Sequence, residues 1–280
     1  MPFADLPLSK RLESAEGQAC AGFAAARRRI FPSSAAEAIE CGGGYAVFDG
    51  VDSPVTQTFA LGLFEPLTAA HLDTVEQFFL ERGAPVQHEV SPLAGVAALD
   101  LLCARGYRPI ELASVMYQPV EDRPRRSSDN ITVRQSNADE AQLWSELSAR
   151  AWSHDHPEFR EFIESNGVIS AGREHSPSFL AELHGEPGAT GSLFLHGGVA
   201  LFAGAATAPE MRCRGLQAAL LEARMRFAFD HGCDLAMIAT EAGSQSQRNA
   251  ERRGFRIAYT RTKWRLVSAA ASPRSSEPGA

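Results

Sequence analysis

Lysine is nearly missing from this chain: Lys10 and Lys263 are the only two in 280 residues, and arginine carries the remaining positive charge. That shortage reflects a GC-rich coding sequence and has no functional reading. Basic residues number 27 against 34 acidic ones, a net charge of -7. The balance argues against a general nucleic-acid binder and leans toward a cationic or amine-bearing substrate. The five cysteines (Cys20, Cys41, Cys103, Cys213, Cys233) are odd in number, scattered and without a CxxC pair. Neither a disulfide framework nor a zinc site follows, and no metal is expected. No apolar run approaches the roughly 18 residues of a membrane span, and residues 1–10 lack the basic-then-apolar order of a secretion signal. A cytoplasmic protein without a membrane partner is expected.

What is present suits two α/β units. Hydrophobic residues make up 44% of the chain, enough for two cores. Leu12, Ala15, Ala19, Phe23, Ala26 and Ile30 recur at helical spacing and predict a helix over 9–31, stopped by Pro32. Strand-like runs at 45–48 and 56–63 predict a hairpin, followed by a helix over 68–82 with Thr68 as N-cap and Gly83 as stop. A strand at 86–90, a helix at 94–105 and a strand pair from Gly106-Tyr107 to Tyr117 complete the first unit, 1–120. Residues 121–130 are charged and proline-bearing and read as a linker. The second unit, 131–268, opens with a strand at 131–134. Asn137 or Asp139 then caps a helix through Ala151, and a second helical stretch runs over 152–165. Strands at 179–183 and 191–196 lead to a Gly197-Gly198 turn and a strand at 199–206. The tail, 269–280, is rich in small residues, Pro and Ser, and is expected to be disordered.

The chemistry concentrates after that last strand. Thr207-Ala208-Pro209-Glu210-Met211-Arg212-Cys213-Arg214-Gly215 is a polar turn, and Leu216, Ala219, Leu220, Ala223 and Phe227 then follow a helical period. A helix beginning near Arg214 exposes unpaired N–H groups and the positive end of its dipole, behind only small or flexible residues (Gly215, Ala218, Ala219). Arg212 and Arg214 add fixed positive charge suited to a diphosphate. A strand over 233–240, a helix over 243–253, Gly254-Phe255 and a strand pair ending near Val267 follow.

Arg212-Cys213-Arg214-Gly215-Leu216-Gln217-Ala218 resembles the pyrophosphate loop of the GNAT acyltransferases, Gln/Arg-x-x-Gly-x-Gly/Ala. Gln217 departs from the second glycine of that pattern; the departure is mild, because the loop works mainly through backbone amides, though it adds a side chain beside the phosphates. Residues 246–255, ending in Gly254-Phe255, resemble the family's second signature helix. The first half repeats the order: Gly83 and Gly106 are 23 positions apart, Gly232 and Gly254 are 22, and both second glycines precede an aromatic residue. The resemblance therefore implies two tandem GNAT-like units, each with a mixed, mostly antiparallel central sheet flanked by helices. Leu63-Phe64-Glu65-Pro66-Leu67 replaces the arginine-glycine turn in the first copy, so that copy is read as degenerate and structural.

The resemblance further implies an acetyl-CoA-dependent N-acetyltransferase acting on a small-molecule amine or amino acid, with room for a homodimer. The alternatives are an acyl-CoA-binding regulatory module that has lost turnover, and a protein N-acetyltransferase. By position, Ala205, Ala206 and Thr207 would run along the pantetheine. Arg212, Cys213, Arg214, Gly215, Leu216, Gln217 and Ala218 would hold the diphosphate, and Ser246 and Asn249 would reach the cofactor. Family members commonly carry a Tyr five residues before the Phe of Gly-Phe; here that position is Ala250. Tyr259 has the right chemistry for the leaving-group acid, although a packed strand aromatic is the commoner role. Glu241, at a strand end, is the candidate base, against a plain solvated junction residue. The His154-Asp155-His156 run reads as a polar loop, not a metal site.

Overall fold

The computed structural model describes residues 3–122, 130–153, 160–171, 173 and 175–267. The first half contributes helix α1 (Leu6–Ile30), strands β1 (Glu37–Cys41), β2 (Gly44–Phe48) and β3 (Gln57–Phe59), helix α2 (Ala69–Leu80), strand β4 (Gln87–Val90), helix α3 (Val96–Ala104) and strand β5 (Tyr107–Pro119). The second half contributes β6 (Ile131–Gln135), α4 (Ala141–Ser153), α5 (Arg160–Ala171), β7 (Ser178–Leu183), β8 (Glu186–His196), β9 (Val199–Thr207), α6 (Leu216–Asp230), β10 (Leu235–Glu241), α7 (Gln245–Arg252) and β11 (Arg256–Leu266). The linker core 123–129, the His154–His156 run and the tail from 268 lie outside the described residues.

All eleven described strands join in one sheet, in the order β1-β2-β3-β4-β11-β5-β10-β9-β8-β7-β6. The strand pairs expected after Gly106 and Gly254 are each a single unbroken strand. Neither β5 nor β11 contains a Gly, Asn or Asp on which a tight hairpin would turn. Each continues as one strand and pairs antiparallel with the other, Tyr259 opposite Val115 and Arg265 opposite Arg108, with register shifts at Ile257/Tyr259 and Lys263/Trp264. β11 thus stands between β4 and β5, and β5 between β11 and β10. Each half's last strand completes the other half's sheet. The register also makes β4 antiparallel to β11 and β10 antiparallel to β5, so the C-terminal ends of β4 and β10 point to opposite edges.

The first hairpin also differs from expectation. Gly42 (φ +56°) and Gly43 (φ +75°) are both left-handed and turn β1 into β2, with Cys41 opposite Gly44. β1 escapes the sequence pattern because it is half-exposed and mixes acidic and small residues. The run at 56–63 does pair with β2, as Tyr45 opposite Phe59, but ends at Phe59 because Ala60 turns left-handed (φ +61°).

Helices cover the sheet in two layers. Alternate residues of β5 show the division: Met116 packs with Leu220 of α6 and Ala250 of α7, whereas Val115 and Tyr117 pack with Leu8, Leu12 and Ala15 of α1. α1 starts on its Asp5 cap, which accepts from the Leu8 N–H at 2.9 Å. It lies across both halves, with Leu12 beside Val199 and Leu235 and Ala24 beside Val47. A buried charge cluster fixes it there. Arg261 of β11 donates to Glu13 at 3.1 Å and to Glu16 at 2.8 Å, and its Nε is 2.7 Å from Glu89 of β4. Pairs of this kind add little net stability but make any wrong docking of α1 costly, since a lost partner leaves a buried charge.

Candidate active site

β9 and β10 run parallel, but their pairing stops early. Val199, Ala200 and Leu201 face Leu235, Ala236 and Met237; beyond that β9 continues to Thr207 and β10 to Glu241 without meeting. β9 leans on β8 and β10 leans on β5, so a wedge opens between them. The ladder to β8 shifts register between Thr190 and Ser192, and Gly204 (φ +60°) sits at that bulge. A Cβ on Gly204 would press to 3.0 Å from Ser192 Oγ and 3.2 Å from the Trp144 ring, so glycine is needed for both space and backbone. Ala203 and Ala205 are exposed in mid-sheet. This fits a strand edge left open for a ligand.

The wedge opens toward the start of α6. Pro209–Met211 form one 3-10 turn, Cys213 (φ +62°) and Gly215 (φ +91°) are left-handed, and Gly215 is the N-cap without any side-chain capping bond. The first amides of α6 therefore lack the partner that a Ser or Asp cap would supply. The Gln217 side chain turns back onto β9, its Nε2 donating to Thr207 Oγ1 at 2.6 Å. Arg212 spans the Thr207 carbonyl at 3.4 Å and the Ala151 carbonyl at 3.1 Å, tying the loop to α4. Arg214 is exposed, with Met211 Sδ 4.0 Å away.

The structure brings Ala205, Ala206, Thr207 and the 212–218 loop together along one side of the wedge. Glu241 ends β10 on the other side, exposed and level with Ala113 of β5. Ser246 and Asn249 are exposed on α7, where Asn249 accepts from Gln245 at 2.8 Å. Ala250 is buried against the Phe255 and Leu220 core, so the usual tyrosine position offers no proton donor.

Tyr259 requires correction. It is 8% exposed, its hydroxyl donates to Glu13 at 3.0 Å, and it packs under α1 with Leu12 and Met237. It stands opposite Val115, which stands opposite Ala239, so a whole strand separates it from β10. Burial first, and then the Glu13 charge, push its phenol far above the ordinary value. It is a structural residue of the α1 interface and not the leaving-group acid.

The corresponding region of the first half is closed. β3 and β4 also pair in parallel, at Thr58 and His88 alone. The start of α2 is capped by Thr68, whose hydroxyl accepts from the His71 N–H at 3.2 Å. Ser9 of α1 bonds Ser91, just past β4, at 3.0 Å with both residues buried, and Lys10 lies 5.4 Å over the Phe64 ring. The first turns of α1 fill the place that is open in the second half.

Residues 139–255 match the family model described as Acetyltransferase (GNAT) family. A GCN5-related N-acetyltransferase from Kribbella flavida superposes with TM-score 0.60 at 18% identity, over 89% of this chain and 96% of that one. A tandem GNAT protein from the clavulanic acid biosynthesis pathway gives TM-score 0.56 at 15% identity, over 85% of each chain. A GCN5-related N-acetyltransferase from Sphaerobacter thermophilus gives 0.52 at 18%, over 75% and 71%. These likenesses establish the fold across both halves. No curated protein matches the sequence.

Proposed function

We propose that this chain, whose second half carries a domain of the GNAT acetyltransferase family, transfers an acetyl group from acetyl-CoA to the amine of a small molecule or amino acid. The observation that carries the reading is the wedge between β9 and β10 facing the uncapped start of α6 at Gly215. The diphosphate of the co-substrate would meet the amides of 212–218 and the charge of Arg214. Its pantetheine would lie along Ala205, Ala206 and Thr207 like an added strand. Glu241 would take a proton from the acceptor ammonium, directly or through water. The neutral nitrogen would attack the thioester carbonyl, a β9 amide would stabilise the oxyanion, and on collapse the C–S bond would break while the second proton of the acylated nitrogen passes through water to the departing thiolate. No protein acid is assigned to that thiolate, because position 250 is a buried alanine.

Residues 1–120 are proposed to act as a scaffold and not as a second catalytic unit, on the strength of the Thr68 cap and the Ser9–Ser91 contact. The test is release of free thiol from acetyl-CoA in the presence of amine pools. Glu241→Gln should lower kcat at neutral pH by about 10²-fold or more with coenzyme affinity unchanged; an unaltered kcat would remove Glu241 from the reaction. Ala250 favours a second reading, an acyl-CoA-binding module without turnover. Tight binding with no thiol release from any amine pool would select it.

A further inference from the structure

The buried face of α6 repeats at Leu216, Leu220, Arg224 and Ala228, and the third of these is a charged side chain, 3% exposed. Among the described residues no carboxylate pairs with Arg224. Its partners are backbone carbonyls: Nη1 donates to Ser192 O at 3.2 Å and Ala203 O at 3.3 Å, and Nε donates to Leu220 O at 3.3 Å. The guanidinium lies 4.9 Å over the Phe202 ring. Gly191 makes room for it, since a Cβ there would stand 3.0 Å from Arg224 Cζ and 3.1 Å from Nη1.

Ser192 and Ala203 are the pair that closes the β8–β9 bulge on one side. On its other side Thr190 donates to Gly204 O at 3.4 Å. The ladder cannot satisfy every carbonyl where two residues of β9 face one of β8, and side chains supply the missing donors. An uncompensated buried cation is costly, and a leucine at this helical position would pack without that cost. What the arginine adds is the shape of β9 two residues beyond its last contact with β10, where the wedge begins.

We infer that Arg224 is a positioning residue for the co-substrate: it holds the bulge from the rear of the sheet, so that the edge of β9 from Ala203 to Thr207 is presented to the pantetheine arm. This rests on the coenzyme reading above and deepens it. Arg224 is buried behind the sheet with backbone carbonyls as its partners, so it acts on the strand and not on the reacting atoms.

The test separates the two ends of coenzyme A. In the wild-type protein, coenzyme A should bind more tightly than 3′-phospho-ADP, which lacks the pantetheine arm. Arg224→Met keeps the volume and the packing on Phe202. It should leave 3′-phospho-ADP affinity unchanged, reduce the gain from the pantetheine arm by about tenfold or more, and lower kcat. Arg224→Lys, with one donor group in place of the fork, should restore part of that gain. Should Arg224→Met fail to fold, Gly191→Ala displaces the guanidinium without removing it and should show the same selective loss. An unchanged gain and kcat in the folded variant would overturn the inference. Equal loss of both ligands would also overturn it, by showing a general structural role. Wild-type protein that binds neither ligand would instead overturn the coenzyme reading, and the inference with it.

Discussion

The two halves contain the same junction, a strand leading through a turn to a helix beside a parallel neighbour, and they finish it in opposite ways. At the start of α2, Thr68 caps the helix with its own hydroxyl, Glu65 lies 3.9 Å from His71, and α1 occupies the space in front. At the start of α6, Gly215 supplies no cap, two arginines flank the turn, and Ala203 and Ala205 stay exposed. An anion site needs unspent amides. α2 has one of its amides held by the Thr68 side chain, whereas no side chain covers the amides of Leu216 and Gln217 at the start of α6.

The first half is nonetheless expected to be required for folding of the second, and this gives the largest expected effect. β5 lies between β10 and β11, and β4 covers the other side of β11, so residues 130–280 made alone would expose three strand edges, one on β10 and two on β11, and lose the α1 cluster around Arg261. That fragment should fail to give a cooperative melt; a stable, soluble fragment would show the exchange to be dispensable. Next in size is the combination Arg212→Ala with Gly215→Glu, which removes a loop clamp and places a carboxylate and a Cβ at φ +91°. Coenzyme A binding by calorimetry should vanish. Retained affinity would leave the two junctions functionally alike.

His88, fully buried beside Thr58, is held down to about 3 by desolvation, against 6.5 for a free imidazole. A lowered folded value means that the neutral ring favours the fold above pH 6.5, and that this advantage shrinks as pH falls toward 3. The stability gap between wild type and His88→Met, read from denaturant melts, should therefore narrow over that range. Glu13, raised to about 7 by burial, gives the opposite slope between 4.5 and 7 and cancels in the difference. A gap independent of pH would place His88 in contact with water. The smallest effect is Thr68→Ala, which should cost about 1 kcal/mol of stability and create no second coenzyme site. A second site would mean that the cap alone had silenced the first half.

Much of this contrast was legible in the residues. Thr68, Glu65 and Gly83 marked one junction, and Arg212, Gly215 and the Gly-Phe step marked the other, because caps and helix stops are local and leave single-residue signatures. The exchange of β5 and β11 was not legible, since alternation says that a segment is a strand and not which strand it joins. The same limit misplaced Tyr259. Its hydroxyl chemistry was visible, but its partner Glu13 lies 246 residues earlier. Arg224 was hidden for the reverse reason: an arginine in a helix reads as solvated until Gly191 shows that space was kept for it.

Calorimetric titration of the whole chain with acetyl-CoA and with coenzyme A tests the central claim most directly. One site per chain is expected, held by the junction at Gly215. Two sites would contradict the closure of the first half, and none would contradict the assignment of the second.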